Sequence, residues 1–175
     1  MKGEGWAIWI TGLPSSGKST VARALKNKLE PLGVSLQILE SDTLRRVLTP
    51  NPTYSPEERE VFYSSMVYIG YLLTRNGVNV VFDATANKRR WRRLARGVID
   101  RFLQVYIRCP LEVCRARDVK GIYKKAERGE AFHVPGLQEE YEEPYDADVE
   151  IDCVEDSPEA AADKIMEAMM VNGFV

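Results

Sequence analysis

Residues 12–19 read Gly-Leu-Pro-Ser-Ser-Gly-Lys-Ser and fit the pattern G-x-x-x-x-G-K-[ST] of a phosphate-binding loop. An apolar run over residues 6–11 predicts a buried strand before the loop, and residues 20–29 have the apolar spacing of a helix. Gly12 and Gly17 allow the backbone to curl until consecutive N–H groups point at one phosphate. Strand, loop and helix in this order predict an α/β protein that binds a nucleoside triphosphate.

The residues of this loop have separate expected roles. Lys18 is expected to reach the β- and γ-phosphates, and the Ser19 hydroxyl to bind Mg²⁺. The N-terminus of the helix adds the positive end of its dipole at the same point. The predicted nucleotide site comprises Gly12, Leu13, Pro14, Ser15, Ser16, Gly17, Lys18, Ser19 and Thr20.

The composition of the 175-residue chain is that of an ordinary globular protein, with 45% hydrophobic and 29% charged residues. This length predicts a single domain over residues 1–175. The formal net charge of −2 argues against nucleic-acid binding, which needs a basic surface. No apolar run approaches the ~20 residues of a membrane span. The N-terminus leads directly into the first predicted strand, so we expect a cytoplasmic protein without a signal peptide.

The chain contains three cysteines, Cys109, Cys114 and Cys153, without C-x-x-C spacing. An odd number of cysteines with this spacing favours reduced thiols in the cytosol over a disulfide framework or a metal site. We therefore predict three free thiols.

Apolar runs alternate with helical patterns along the chain, which predicts a parallel sheet of about five strands with helices on both faces. Serine-proline pairs at 55–56 and 157–158 predict helix starts, and Gly33 and Gly77 predict helix ends. Residues 118–145 are charged and poor in strand signals. The predicted strands cover residues 6–11, 35–39, 78–82, 103–107 and 149–151.

Acidic residues follow two of these strands. Ligands of open parallel sheets bind beyond the carboxyl ends of the strands, where a carboxylate can hold Mg²⁺ or accept a proton from an acceptor hydroxyl. Asp42, with Glu40 nearby, and Asp83 are the candidates. The alternatives are that Asp42 is only a helix N-cap and that Asp83 is only a turn residue.

Residues 88–96 form a basic run. Trp91 and Leu94 are predicted to pack on the sheet, which leaves a solvated basic face or, alternatively, one that helps to bind an anionic substrate. A second basic segment, residues 113–128, is typical of a flap that neutralises a transferring phosphoryl group and excludes water, although a charged surface helix would look similar. His133, the only histidine, is interpreted as a loop residue.

The lid segment of adenylyl-sulfate kinases closely resembles three stretches of this chain, residues 110–126, Gly129-Glu130 and residues 136–144. The substrate-binding helix of that family is similar to residues 55–59. The resemblance extends from the phosphate loop to the last helix. It implies a P-loop kinase fold with a lid at about 118–145, and usually a homodimer. It also implies transfer of the γ-phosphate of ATP, with Mg²⁺, to the 3′-hydroxyl of adenylyl sulfate in sulfate assimilation.

The resemblance also implies residue roles. Lys18, Asp42 and Lys120 would be catalytic, with Asp42 orienting or deprotonating the acceptor hydroxyl. Mg²⁺ would be held by Ser19 and by Asp42, directly or through water. Arg117 is assigned to the nucleotide site. The implied acceptor site comprises Asp42, Arg45, Tyr54, Arg59, Phe62, Lys120, Gly121, Ile122 and Tyr123.

The chain departs from the family pattern mainly on the acceptor side. Residues 40–43 are Glu-Ser-Asp-Thr where the family has Asp-Gly-Asp-Asn, and Phe62 and residues 64–65 replace an asparagine and an arginine pair. Residues 83–87 replace a motif containing Phe-Ile-Ser-Pro, and Val134 stands where an aromatic is expected. A P-loop kinase for another small hydroxyl acceptor therefore stays open. A non-catalytic nucleotide-binding module is the third alternative, but the Asn-Lys-x-Asp motif expected of a GTPase does not occur.

Overall fold

The computed structural model describes residues 3–175 and contains one sheet of five parallel strands. The strand order is β2-β3-β1-β4-β5, so the first strand lies at the centre. This arrangement confirms the predicted α/β class, and each predicted strand is present within one or two residues. The strands are β1 (Ala7–Thr11), β2 (Leu36–Glu40), β3 (Asn79–Asp83), β4 (Phe102–Arg108) and β5 (Val149–Asp152).

Over residues 3–175, seven α-helices connect and follow these strands. As predicted, Ser55 and Ser157 cap their helices by accepting hydrogen bonds from the backbone N–H groups of Glu58 and Ala160. Over residues 3–175, no helix has both the length and the apolar character needed to cross a lipid bilayer. The helices are α1 (Lys18–Leu29, extended by a 3₁₀ turn to Leu32), α2 (Ser41–Leu48), α3 (Pro56–Arg75), α4 (Arg89–Val98), α5 (Leu111–Arg117), α6 (Ile122–Glu127) and α7 (Pro158–Val171).

Helices cover both faces of the sheet, as the side chains of β1 show, since successive residues point to opposite faces. Ile8 and Ile10 pack with α1 and α7 on one face, whereas Ala7 and Trp9 pack with α3 and α4 on the other. Because both faces are buried, β1 reads as a continuous apolar run and not as an alternating one. Helices thus cover both faces of the sheet, and the phosphate loop follows the carboxyl end of its central strand.

Helix α4 differs from its prediction. Trp91 is buried as expected, but Leu94 is 41% exposed, and it is Arg92 that is buried, at 1% exposure. The Arg92 guanidinium donates a hydrogen bond to the backbone carbonyl of Glu142 and lies over the ring of Tyr141. The prediction that the cations of this helix face solvent is therefore wrong for Arg92, because residues 139–148 pack across the helix.

Other cations of the basic run also bind this acidic segment. Lys88 forms an ion pair with Glu142 at 3.2 Å, and Arg96 forms one with Asp148 at 2.7 Å. The basic run thus holds the end of the lid and the residues directly after it against the body of the protein. The expectation of a wholly solvated basic face is corrected accordingly.

Two of the three cysteines form a disulfide bond, so the prediction of three free thiols is wrong. Cys109 follows β4 and Cys153 follows β5, and the last residues of these strands, Arg108 and Asp152, are paired in register. Strand pairing therefore places the two Cα atoms 5.2 Å apart, within the range that a disulfide spans. Cys114 is free and buried.

Removal of this disulfide is expected to destabilise the protein. The bond joins residues 44 positions apart, and a cross-link that closes a loop of this length contributes about 2–4 kcal/mol by restricting the unfolded chain. We expect Cys153→Ser to lower the melting temperature by roughly 5–15 °C, measured by circular dichroism without reductant. With reductant, wild type and variant should melt together. Three alkylatable thiols in the unreduced, denatured wild type would contradict the disulfide.

Candidate active site

The phosphate loop lies at the carboxyl end of β1, in the centre of the sheet, and leads into α1. Gly17 has a φ of 105°, a left-handed conformation that disfavours any side chain. A Cβ atom at Gly12 would lie 2.8 Å from the backbone oxygen of Ile107. Both glycines are therefore required by geometry, as the sequence pattern predicts.

Two side chains of the loop are placed where they can bind an anion. The Lys18 ammonium donates to the backbone oxygens of Gly12, at 3.1 Å, and Leu13, at 2.8 Å. Burial lowers the pKa of Lys18 to about 8, although the negative charge of Asp83 opposes this shift. The buried Ser16 hydroxyl has no hydrogen-bond partner within residues 3–175. A triphosphate would supply negative charge to Lys18 and an acceptor to Ser16.

Asp42 lies in the first turn of α2 and forms an ion pair with Lys120, which precedes α6. The residue at the N-cap of α2 is Glu40, not Asp42. The Asp42 side chain is 51% exposed and accepts from no backbone N–H of the described chain. Two predicted catalytic residues are thus brought together, and the alternative of Asp42 as a simple helix cap is not supported.

Arg45 points into the protein from the same helix. Its guanidinium is bonded to Glu58 at 3.1 Å and lies 3.9 Å from the ring centre of Phe62 and 4.7 Å from that of Tyr54. The predicted acceptor residues Arg45 and Tyr54 are therefore in contact. They lie at a cleft of about 210 Å³ that is lined by Asp42, Arg45, Arg46, Thr49, Pro50, Pro52 and Tyr54.

Phe62 is assigned to the acceptor site by the resemblance, but it is fully buried in the core beneath α3. Its ring packs edge-on against Tyr63 and supports the Arg45 guanidinium. The expectation that Phe62 contacts a substrate directly is therefore corrected. Phe62 supports the Arg45 guanidinium, and its effect on a substrate would pass through Arg45.

Arg59 is the centre of a buried network that joins α3, the end of β3 and the lid. Its Nη1 donates to Asn87 and to Glu139, both at 2.9 Å, and its Nη2 donates to the backbone oxygen of His133 at 2.5 Å. His133 Nδ1 lies 2.5 Å from the second carboxylate oxygen of Glu139. His133 is a loop residue, as predicted, and also part of this network. Since a guanidinium has five N–H groups, two of those on Arg59 make no hydrogen bond within residues 3–175.

The lid contacts the phosphate loop directly. The Tyr123 hydroxyl donates to the Pro14 carbonyl at 2.9 Å, and Arg117 Nη1 reaches the Ser16 carbonyl at 3.4 Å. Asp118 accepts from the backbone N–H groups of Tyr123 and Lys124 and so fixes the start of α6. Tyr123 is buried and acts as a connection between lid and loop, while Gly121 and Ile122 lie half-buried beside Lys120.

Tyr141 is a site residue to which the sequence reasoning gave no role. Its hydroxyl lies 2.9 Å from that of Thr11, which in turn donates to the Thr85 carbonyl at 2.6 Å. Burial raises the pKa of Tyr141 to about 12, so this hydroxyl stays protonated. The signal that could have identified Tyr141 and Glu139 is their place in the 136–144 motif.

A cleft of about 410 Å³ lies beside this part of the lid. It is lined by Leu13, Gly136, Leu137, Gln138, Glu139, Glu140, Tyr141 and Glu143.

The oxygen groups near the loop suit Mg²⁺. Within residues 3–175 no three histidine, cysteine or acidic side chains converge on one point as a self-contained metal site would require. Mg²⁺ at a triphosphate needs only one or two protein oxygens, because phosphate oxygens and waters complete its octahedral shell. The Ser19 hydroxyl and the carboxylates of Asp42 and Asp83 are hard donors of this kind.

Comparison with known proteins identifies the family to which the chain belongs. A model of the family described as adenylylsulphate kinase matches residues 4–152. The probable adenylyl-sulfate kinase of Archaeoglobus fulgidus is 44% identical over 147 residues, 84% of this chain and 95% of that protein. The probable adenylyl-sulfate kinase of Pyrococcus abyssi is 39% identical over 172 residues, 98% and 99% of the two chains. The solved Mycobacterium tuberculosis APS kinase CysC, in complex with AMPPNP and APS, is 31% identical with a TM-score of 0.90, covering 96% of this chain and 99% of that one. With matches of this extent in sequence and in structure, the chain belongs to the adenylylsulphate kinase family.

Proposed function

We propose that this protein transfers the γ-phosphate of ATP to the 3′-hydroxyl of adenylyl sulfate, giving 3′-phosphoadenylyl sulfate and ADP. The observation that carries the proposal is the likeness, over 96% of the chain, to an APS kinase solved with AMPPNP and APS. The contacts among phosphate loop, lid and acceptor-side arginines are those that phosphoryl transfer between two anionic ligands requires.

On the nucleotide side, Lys18 and the N–H groups at the start of α1 would hold the phosphates, and Arg117 would lie beside them. Binding would draw the Lys18 ammonium from the carbonyls of Gly12 and Leu13 to the phosphate oxygens. Ser19 would help to hold Mg²⁺, which would neutralise phosphate charge. Closure of the lid, already connected through Tyr123 to Pro14, excludes water that would otherwise take the phosphoryl group.

On the acceptor side, Asp42 would orient the hydroxyl and take its proton. The hydroxyl oxygen forms the new bond to the γ-phosphorus while the bond to the β,γ-bridging oxygen breaks and ADP leaves. The ion pair with Lys120 holds the Asp42 carboxylate at the junction of α2 and the lid. The pair is thus in place before the acceptor binds.

The anionic end of adenylyl sulfate would bind to Arg45 and Arg59. Both guanidiniums are held in position by internal carboxylates, those of Glu58 and Glu139. A guanidinium held in this way loses little freedom when it binds a ligand. Tyr54, one face of which is covered by Arg45, can offer its other face to the adenine.

Substrate preference tests the proposal. We expect kcat/KM for adenylyl sulfate to exceed that for adenosine monophosphate at least ~10-fold, because the second anionic group gains charge-assisted hydrogen bonds. ADP release with a panel of acceptors that includes adenosine, nucleoside monophosphates and gluconate measures this ratio. ATP hydrolysis without transfer to adenylyl sulfate would instead support a kinase for another hydroxyl acceptor.

Arg59→Ala is expected to raise KM for adenylyl sulfate by roughly 10-fold or more and KM for ATP much less, since a lost ionic hydrogen bond weakens only the ligand that makes it. Arg75→Ala is the matched control, because Arg75 lies on the same helix and pairs at the surface with Glu4. Equal increases in both KM values would show that Arg59 only anchors the lid.

We also propose that the protein forms a homodimer. Exposed apolar side chains on one side of α3, those of Val61, Tyr68 and Leu72, support a surface for a second copy. Light scattering is expected to give twice the 19.8 kDa of one chain; the mass of one chain would refute the proposal.

A further inference from the structure

Asn87 lies in the connection between β3 and α4, and its side chain is inside the protein, with 1% of the residue exposed. Its amide oxygen accepts a hydrogen bond from Nη1 of Arg59 at 2.9 Å. Its amide nitrogen donates to the backbone oxygen of Glu140 at 3.1 Å and to the Glu139 carboxylate at 3.4 Å. Both polar atoms of the amide therefore have partners, one on α3 and the others in the lid.

The chemistry of these partners determines how the amide is oriented. A guanidinium only donates hydrogen bonds, whereas a carbonyl and a carboxylate only accept them. The Asn87 oxygen must therefore face Arg59, and its nitrogen must face the lid. An aspartate at this position would bring a like charge to the Glu139 carboxylate, and an apolar side chain would leave a buried N–H of Arg59 without this acceptor.

The backbone directly before Asn87 is held in an uncommon conformation. Ala86 has a φ of 40°, in the left-handed region that residues with a Cβ atom rarely adopt. Its N–H donates to the Tyr63 hydroxyl at 3.1 Å, and the Asn87 carbonyl accepts from the backbone N–H of Glu142 at 2.8 Å. Backbone strain that the surroundings hold in place is found mostly at functional sites. The turn places the Asn87 amide against Arg59.

The departures from the family pattern support a role for this amide. Position 62 lies one helical turn after Arg59 and is an asparagine in the family pattern, but it is Phe62 here. The Phe62 ring lies 3.9 Å from the Arg45 guanidinium and has no hydrogen-bond acceptor to offer Arg59. Asn87 belongs to the stretch that replaces Phe-Ile-Ser-Pro. An amide is thus lost from the helix of Arg59 and another is gained in direct contact with its guanidinium.

We propose that Asn87 is a positioning residue of the acceptor site and orients the Arg59 guanidinium for the anionic group of the acceptor. Asn87 and Glu139 together occupy both N–H groups of Nη1, and the His133 carbonyl occupies one of Nη2. The two remaining N–H groups are thereby held in place, so the side chain loses little freedom when it binds an anion. The inference rests on the proposed function, in which Arg59 binds the acceptor and not ATP.

Steady-state kinetics of Asn87→Ala test the proposal. We expect KM for adenylyl sulfate to rise about 3- to 10-fold, the effect of losing the order of one long side chain, with KM for ATP changed by less than about 2-fold. In an Arg59→Ala background the same substitution should change KM for adenylyl sulfate by less than about 2-fold, because no guanidinium is left to orient. A role that is confined to fastening the lid would instead add in full to the effect of Arg59→Ala.

Asn79→Ala is the matched control. Asn79 lies at the start of β3, and its amide also has a partner at each polar atom, the Trp6 N–H at 3.2 Å and the Ser35 carbonyl at 2.9 Å. This variant should keep both KM values within about 2-fold of the wild type.

Asn87→Thr fills the space more closely than alanine but has no oxygen at the Oδ1 position. It should act as Asn87→Ala does, and it replaces that variant should melting curves show that the alanine protein does not fold. An unchanged KM for the acceptor in a folded Asn87 variant, or a full further increase in the Arg59→Ala background, would overturn the proposal.

The choice of acceptor is decided separately. A wild type that phosphorylates a nucleoside monophosphate or gluconate, and not adenylyl sulfate, would refute the proposed acceptor. The same set of variants is then measured with that anionic acceptor, and the changes in its KM decide the role of Asn87. Failure of the proposed function and failure of this inference are therefore different results.

Discussion

Lys18→Ala is expected to lower kcat by about 10³-fold or more while the protein stays folded. The ammonium is the one charge of the phosphate loop that can follow the γ-phosphate through transfer, and it already points into the loop. Burial lowers its pKa to about 8, which means that the empty site disfavours its charge, and a bound triphosphate would stabilise the charged form. Single-turnover transfer measures the effect on chemistry apart from product release.

Lys28→Ala is the control for this prediction. Lys28 lies on the same helix, ten residues further on, and forms a surface ion pair with Asp163 at 2.6 Å. A surface pair of this kind contributes at most about 1 kcal/mol, so the control should keep its activity and nearly its melting temperature. Near-normal kcat in a folded Lys18→Ala protein would refute the assignment of the phosphate loop.

Asp42→Asn is expected to lower kcat by about 10²-fold or more, with ATP binding little changed. The substitution keeps the shape of the side chain but removes the carboxylate that pairs with Lys120 and that we propose to be the acceptor of the substrate proton. Because Asp42 is half-exposed and Glu40 occupies the N-cap of α2, the melting temperature should hardly change. Kinetics and thermal melts on the same preparation separate the two effects.

Asp163→Asn provides the comparison, since it also removes one carboxylate from a surface ion pair, that with Lys28. It should leave kcat and KM unchanged. Retained kcat in Asp42→Asn together with a clear loss of thermal stability would return Asp42 to a structural role at the start of α2.

Local features could be read from the sequence because neighbouring residues determine them. Gly17 is needed for its own left-handed backbone conformation, and Gly12 for a close approach within the loop, since a Cβ atom there would lie 2.8 Å from the Ser16 hydroxyl oxygen. Ser55 and Ser157 cap helices through groups three residues away. The apolar runs predicted all five strands for the same reason: burial on both faces leaves a pattern within each segment.

Contacts between distant segments could not be read in this way. The periodicity of α4 does not reveal that residues 139–148 cover it, and so the exposed Leu94 and the buried Arg92 were both mispredicted. Spacing along the chain is equally uninformative about Cys109 and Cys153, which pairing of β4 with β5 brings together.

By itself, the sequence determined the fold class, the nucleotide loop and the family pattern of the lid, since each depends on residues within one segment. The tertiary structure alone decided how the acidic and basic side chains are paired. It placed Arg59 between Asn87 and Glu139, and it separated the buried Asp83 from the Asp42–Lys120 pair. Burial and the nearest opposite charge set the chemistry of an ionisable group, and both are properties of the assembled sheet edge and not of the order of residues.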